Sequence, residues 1–341
     1  MTVRRTAIIG LGMAVKPHAQ SYLELADRVE VVHAYSPTKA RREAFAEQYG
    51  FPVCDDIATI FSDPTIDYVT VLTPPNTHLE LTRMCAAAGK HVLLEKPLEI
   101  STDRAGALVG TCREAGVRLG MVLQHRFRPS GARLRDVMAS GKLGAMVGAS
   151  VRVLNWRPQS YYDQPGRGDI DRDGGGVLLT QGIHTLDLFL SLVGLPGEVK
   201  AYADTTPVHR METEDMAGAV MKYGNGAIVT LTATTAAYPG FPETITLYCE
   251  NGTADVNGTA LHIQYSDGSE EHIGASVGAA GAGADPMDFP SDYHRATIED
   301  FLDALDEGRD PAISGESALY VHRLIDAILS SSQSGNTAYL R

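Results

Sequence analysis

The run Thr6-Ala7-Ile8-Ile9-Gly10-Leu11-Gly12 decides the fold. Its first four residues are apolar or β-branched and end at glycine, as in a buried strand that stops in a tight turn. A helical stretch follows from about His18 to Ala26. Strand, Gly-x-Gly and helix in that order open a dinucleotide-binding βαβ unit. Gly10 permits the turn, and Gly12 lets backbone approach a pyrophosphate at the helix N-terminus. Met13 and Ala14 lie in the same turn and join the candidate cofactor contacts. The third position of Gly-x-Gly-x-x-Gly is Val15, so the close helix–strand packing that a glycine allows there is not specified.

Outward from this turn, strands and helices alternate. Val29 to Tyr35, Tyr68 to Leu72, His91 to Leu94 and Arg118 to Leu123 read as strands. Thr38 to Tyr49, Thr77 to Ala88 and Thr102 to Ala115 read as helices between them. That alternation implies an α/β domain with a parallel sheet over residues 1–123, its ligand-binding turns at the carboxyl edge. From about Gln124 the pattern changes. A helix, Ser130 to Gly141, precedes a strand, Val147 to Asn155. Further strands follow at Glu198 to Ala203, Met216 to Tyr223, Ala227 to Thr234, Thr244 to Cys249 and Ala260 to Tyr265. Gly224-Asn225-Gly226, Asn251-Gly252 and Asn257-Gly258 mark their turns. A run of strands points to a second, α+β domain over 124–341 on a mostly antiparallel sheet. Gly274 to Asp285 reads as a mobile surface loop. Tyr293 to Ala304 and Gly315 to Ser330 read as helices, the last able to pack back on the first domain.

A chain of 341 residues exceeds one ordinary core, which agrees with two domains. The formal net charge of −13 argues against a nucleic-acid partner. Cys54, Cys85, Cys112 and Cys249 are scattered, without the spacing of a zinc site or a disulfide scaffold, so neither metal nor disulfide is expected. No signal peptide and no apolar run of roughly 18 residues is visible, which leaves the cytoplasm as the expected location and no membrane partner.

Four further segments carry chemistry. The second strand ends not in a carboxylate but in Ser36, followed by Thr38, Lys39, Arg41 and Arg42. Hydroxyls and guanidinium groups suit a 2′-phosphate, which favours NADP over NAD. Thr73-Pro74-Pro75-Asn76-Thr77-His78 makes a rigid loop after the third strand, fit to lie beside a nicotinamide ring. Glu95-Lys96-Pro97 follows the fourth, where a lysine donates to a reacting oxygen. Gly174-Gly175-Gly176 then leads through Thr180-Gln181 to His184 and Asp187, one helical turn apart, with His184 a candidate general base. Each segment also has a plain reading: a solvated helix start, a capping turn, a surface lysine, a structural histidine. Gln124, His125, Arg126, Trp156, Arg157, Tyr161, Tyr162 and Arg167 offer guanidinium and aromatic faces for a sugar-like ligand.

Taken in order, Gly10-x-Gly12 with His18, Thr73-Pro74-Pro75 with His78, Glu95-Lys96-Pro97, and Gly175-Gly176 leading to His184-x-x-Asp187 resemble the Gfo/Idh/MocA family over essentially the whole chain. The family is named for glucose–fructose oxidoreductase and inositol dehydrogenase. The resemblance implies a Rossmann domain followed by a domain with a large open sheet that forms a homodimer or homotetramer. It also implies hydride transfer between NAD(P) and a hydroxyl or keto carbon of a sugar, polyol, sugar acid or nucleotide sugar. Lys96 and His184 are then the catalytic pair, meeting above the reactive ring. Cofactor contacts are expected from Gly10, Gly12, Met13, Ala14, Ser36, Thr38 and Arg41, and from Thr73, Pro74, Asn76, His78, Glu95 and Lys96. Substrate contacts are expected from Lys96, Arg126, Trp156, Arg157, Tyr162, Thr180, Gln181 and His184. The family's sugar dehydrogenases often carry an aspartate where this chain has Thr180; Thr180-Gln181 and Asn155-Trp156-Arg157 are similar instead to the nucleotide-sugar 3-dehydrogenases. Two other activities fit the same scaffold: a redox-neutral enzyme that retains its cofactor, and a cofactor-binding sensor without chemistry.

Overall fold

Five apolar runs in the first third of the chain, and one two-residue segment, become strands β1 (Arg4–Ile9), β2 (Val29–Tyr35), β3 (Val53–Cys54), β4 (Tyr68–Val71), β5 (His91–Glu95) and β6 (Leu119–Val122), the short one being β3. The computed structural model describes residues 3–274 and 290–340. The strands are all parallel and lie in the order β3-β2-β1-β4-β5-β6. Strand order reverses between β1 and β4, whose ends Ile9 and Val71 pair directly. The turns leaving these two strands therefore sit side by side at the carboxyl edge, where an open α/β sheet binds ligands.

Side chains build this sheet's core with helix Val15–Glu24. Ile8, Leu11, Val15, Ala19, Tyr22 and Val31 are buried in one cluster. Val15, which replaces the third glycine of the turn, thus packs as a core residue. Ile298, Phe301 and Leu302 of helix Asp292–Glu307 belong to the same cluster. Gly120 is the seat of Phe301: a β-carbon there would stand 2.5 Å from the ring. The sequence reading lets the last helix return to the first domain; here Asp292–Glu307 packs on this core, and the first residues of Gly315–Ser334 also lie against it, with Gly315 beside Leu119 and Val109. Contacts group residues up to Gln124 with Pro290–Leu319, and residues from His125 with Tyr320 onward.

The second unit is built on nine strands: β7 (Met146–Leu154), β8 (Glu198–Asp204), β9 (Met216–Lys222), β10 (Ile228–Thr234), β11 (Thr244–Cys249), β12 (Gly252–Asn257), β13 (Ala260–Tyr265), β14 (Glu270–Ile273) and β15 (Ala338–Tyr339). Their order is β14-β13-β12-β11-β7-β10-β9-β8-β15, antiparallel at every pairing except β7 with β10. Residues alternate between two faces. Ala149, Val151, Leu231 and Leu247 are buried, on the side of helices Pro129–Ala139 and Ile183–Val193. Tyr202, Val220, Ile228 and Tyr248 stand exposed on the other. This is the expected large, mostly antiparallel open sheet.

Strands β3, β12, β14 and β15 have no counterpart in the sequence reading. β12 hides between two Asn-Gly pairs that read as consecutive turns, yet Ala254 and Val256 alternate inward between them. β14 is nearly all polar, and β3 and β15 have two residues each. The loop expected at Gly274 to Asp285 lies, past its first residue, outside the described residues.

Candidate active site

Backbone conformation fixes the first turn. Gly10 has φ +106°, and a β-carbon on it would meet the Leu72 carbonyl carbon at 2.7 Å, so no other residue fits. Its N–H donates to the Tyr35 carbonyl oxygen at 2.9 Å, which ties the turn to the end of β2. A β-carbon on Gly12 would meet nothing within 4 Å. The fold therefore does not require glycine at position 12, which borders open space beside the start of helix Val15–Glu24. Met13 is exposed here, and Ala14 holds the helix N-cap position without a side-chain bond.

At the end of β2, Ser36 is buried and its hydroxyl accepts from the Thr38 N–H at 3.3 Å. Arg42 donates to the Ser36 carbonyl oxygen at 2.6 Å, so this arginine shapes the turn. Thr38, Lys39 and Arg41 remain exposed. After β4, Thr77 Oγ donates to the Pro74 carbonyl oxygen and lies 2.7 Å from Thr73 Oγ. Pro74 is half-buried and Asn76 exposed. His78, expected to face a cofactor, is wholly buried. Its Nε2 lies 2.9 Å from the Thr73 carbonyl oxygen, and its Nδ1 lies 3.0 Å and 3.2 Å from those of Pro97 and Leu98. The ring braces the loop, and burial lowers its pKa against the pull of those carbonyls.

Glu95 ends β5 and is also buried, with both carboxylate oxygens committed. Oε1 lies 2.9 Å from His18 Nε2, and Oε2 accepts from the Lys96 N–H at 3.0 Å. His294 completes the cluster, its Nε2 4.0 Å from Glu95 Oε1 and its ring edge-on to His18 at 5.2 Å. Burial alone would raise the Glu95 carboxyl. The hydrogen bond from His18 and the charges of His18, His294 and Lys96 outweigh it and take the pKa down to about 2. Burial, with His18 nearby, takes His294 down to about 3 despite Glu95. An anion is therefore fixed against the backbone of half-buried Lys96. Sequence reasoning placed Glu95 among the cofactor contacts and missed His294, whose partners are distant in sequence.

The second unit holds the other candidates. Gly176 is a forced glycine: a β-carbon there would come 1.7 Å from the Glu214 carbonyl oxygen. The buried Glu214 carboxylate accepts from the Gly176 and Leu178 N–H groups at 3.0 Å and 3.1 Å, anchoring helix Val177–Thr180. Thr180 Oγ donates to the Gly176 carbonyl oxygen at 2.6 Å and also bonds Gln181. Helix Ile183–Val193 then presents His184, partly exposed, its ring stacked on His125 at 4.9 Å and 28°. Asp187 follows His184 by one turn of this helix, as expected, and is buried against Arg126. Arg126 Nε donates to Asp187 Oδ2 at 2.7 Å and Nη2 to Oδ1. Burial nevertheless raises the Asp187 pKa against this arginine.

The aromatic candidates divide in two. Tyr162 is buried, its hydroxyl 2.7 Å from Thr235 Oγ and its ring edge-on to His209 at 4.8 Å. Arg157 is buried, and its carbonyl oxygen lies 2.8 Å from His209 Nε2. His209 Nδ1 lies 2.6 Å from Asp215. Tyr162 and Arg157, expected among the substrate contacts, thus take part in a buried network with His209, Asp215 and Thr235. Trp156 is half-buried, edge-on to exposed Tyr238 at 5.4 Å, and Arg167 lies over the Tyr161 ring at 5.0 Å. Among the described residues no single helix is long and apolar enough to cross a membrane.

Known proteins match this arrangement at both ends. The D-xylose 1-dehydrogenase (NADP(+)) 2 of Haloferax volcanii is 29% identical over 303 residues, 88% of this chain and 89% of that protein. The UDP-N-acetylglucosamine 3-dehydrogenase of Acidithiobacillus ferrooxidans is 29% identical over 304 residues, 88% of each. The structure of the WlbA dehydrogenase from Bordetella pertussis, in complex with NADH and UDP-GlcNAcA, has a TM-score of 0.85 at 27% identity and covers 100% of this chain and 99% of that one. Residues 4–123 match the oxidoreductase family's NAD-binding Rossmann fold, and residues 132–255 match the GFO/IDH/MocA C-terminal domain. With a cofactor turn that needs Gly10 and leaves room at Gly12, followed by this second sheet, the chain belongs to the Gfo/Idh/MocA family of oxidoreductases.

Proposed function

We propose that this protein is an NAD(P)-dependent dehydrogenase or reductase acting on a CH–OH or keto carbon of a sugar, polyol, sugar acid or nucleotide sugar. The observation that carries the reading is the ionised, buried Glu95 bonded to the backbone of Lys96 at the carboxyl end of β5. The nicotinamide supplies or accepts the hydride. Lys96 donates a hydrogen bond to the reacting oxygen and stabilises its alkoxide character. His184 takes the hydroxyl proton in oxidation and returns it in reduction. The space at Gly12 admits the pyrophosphate, with Gly10, Met13, Ala14, Thr73, Pro74 and Asn76 along the dinucleotide. Glu95 and His78 act behind these contacts rather than as part of them. The names of relatives that act on D-xylose and UDP-N-acetylglucosamine support the substrate class.

NADP is the preferred cofactor. The end of β2 offers no carboxylate for a ribose 2′-hydroxyl, and it exposes Thr38, Lys39 and Arg41. The first domain holds the dinucleotide. The second binds substrate through Arg126, Trp156, Thr180, Gln181 and His184, with Arg157 and Tyr162 as support, and self-associates as a homodimer or homotetramer through its open sheet.

The decisive experiment is a nicotinamide absorbance screen of free sugars, polyols, sugar acids and nucleotide sugars with both cofactors. With the substrate found, Lys96→Ala should lower turnover at least about 100-fold while cofactor binding stays within about 3-fold. Undiminished turnover in that variant removes the assignment. Sugar conversion without a net change in cofactor absorbance would instead identify the redox-neutral activity.

A further inference from the structure

Strands β13 and β14 bring two imidazoles and a carboxylate together at one end of the second sheet's strand order, apart from the residues given a catalytic, cofactor or substrate role above. His262 and His272 are directly opposed in the antiparallel register, and Gln264 opposes Glu270 one same-face position along. Residues two apart on a strand share a face, so Glu270 and His272 project to the same side as His262. Glu270 Oε2 lies 3.1 Å from His262 Nε2 and 3.5 Å from His272 Nε2. One donor atom from each of the three residues lies within 4.8 Å of the others. The side chains of Glu270 and His272 are 56% and 60% exposed, so an ion has an open path to them.

We propose that His262, Glu270 and His272 form a binding site for a divalent first-row transition cation of the zinc type, with water or Gln264 as the remaining ligand. Ligands held about 2.0–2.1 Å from a tetrahedral zinc ion stand about 3.3–3.4 Å apart, and the two observed separations bracket that edge. Two imidazoles and one carboxylate select zinc, cobalt, nickel or copper over magnesium or calcium. The rings stack 4.0 Å apart at 17° and must tilt toward each other to share an ion. Both are surface side chains, and the terminal torsion of histidine is broad, so this rotation costs little. Among the described residues β14 pairs with β13 alone, and a bound ion ties these two strands together. Cysteine and histidine spacing along the chain gives no sign of this site, because its ligands come from two strands.

The test is calorimetric titration of the chelator-treated full chain with zinc chloride, which makes no use of the hydride-transfer reading. One saturable site per chain is expected. His262→Ala and His272→Ala should each weaken it at least about 10-fold, and Glu270→Gln should weaken it by less. The far-ultraviolet spectrum of each variant should be unchanged, since the residues are at the surface. Absence of saturable uptake would overturn the proposal. So would uptake that survives both histidine substitutions, or uptake lost on His294→Gln, which would place the ion at the buried cluster.

Discussion

At the scale of the residue, the buried cluster around Glu95 ties stability to pH. His294 titrates at about 3 in the folded chain against an ordinary 6.5, chiefly because it is buried. Below 6.5 the unfolded chain takes up a proton that the folded one refuses. This stability is therefore whole above about pH 6.5 and drains as pH falls toward 3, by up to about 1.4 kcal/mol per pH unit. Glu95 contributes in a lower window: its folded pKa is about 2 against 4.5, so its share is present above 4.5 and lost on the way to 2. His294→Gln should flatten the decline between about pH 7 and pH 5, read by urea unfolding, and leave the lower loss in place. Parallel declines in variant and parent would refute this assignment. Lys96 was legible in the sequence because a motif at a strand end announces it. The company it keeps was not, because His18, Glu95 and His294 lie far apart along the chain and periodicity carries no information about such contacts. Asp187 lies one turn from His184 on the same helix, as its spacing implies, but its pairing with Arg126 was not legible, because the two lie 61 residues apart.

At the scale of the element, glycines separate what the fold needs from what the ligand needs. Gly10→Ala forces a side chain into φ +106° and against the Leu72 carbonyl, so it should destabilise the first unit whether or not cofactor is present. Gly12→Ala adds a methyl group to open space. It should leave the melting temperature nearly unchanged while weakening dinucleotide binding at least about 10-fold, measured by cofactor fluorescence titration. Unaltered binding in a stable Gly12→Ala protein would remove the pyrophosphate from this turn. The reading of Gly10-Leu11-Gly12 from sequence succeeded because strand, turn and helix are contiguous there. Most long strands of the second sheet were legible for a related reason, since Val, Ile, Thr and Ala alternate along them. β14 was not, because a polar edge strand buries too little to leave an apolar trace. The Gly174-Gly175-Gly176 run reads from sequence as room for close backbone packing against a ligand or another element, and at Gly176 that neighbour is the Glu214 backbone. Which element it is could not be read, because Glu214 lies well apart from Gly176 in sequence.

At the scale of the whole molecule, the exposed face of the second sheet and the net charge pull in opposite directions. Tyr202, Val220, Ile228 and Tyr248 form exposed apolar positions on one side of neighbouring strands, the kind of surface that marks a protein interface. Each chain also carries a formal charge of −13, so bringing two copies together costs repulsion that apolar burial has to exceed. If self-association runs through this face, salt should strengthen it by screening that repulsion, because the Debye length shrinks from about 10 Å at 0.1 M to about 3 Å at 1 M. An assembly held by ion pairs would weaken instead. Val220→Glu, which adds a charge where Val220 stands 49% exposed, should shift the protein toward monomer at every salt concentration without lowering the monomer's melting temperature. Sedimentation equilibrium of the parent and Val220→Glu across a salt series reads both effects. Association that weakens with salt, or that ignores the new glutamate, would move the interface off this sheet.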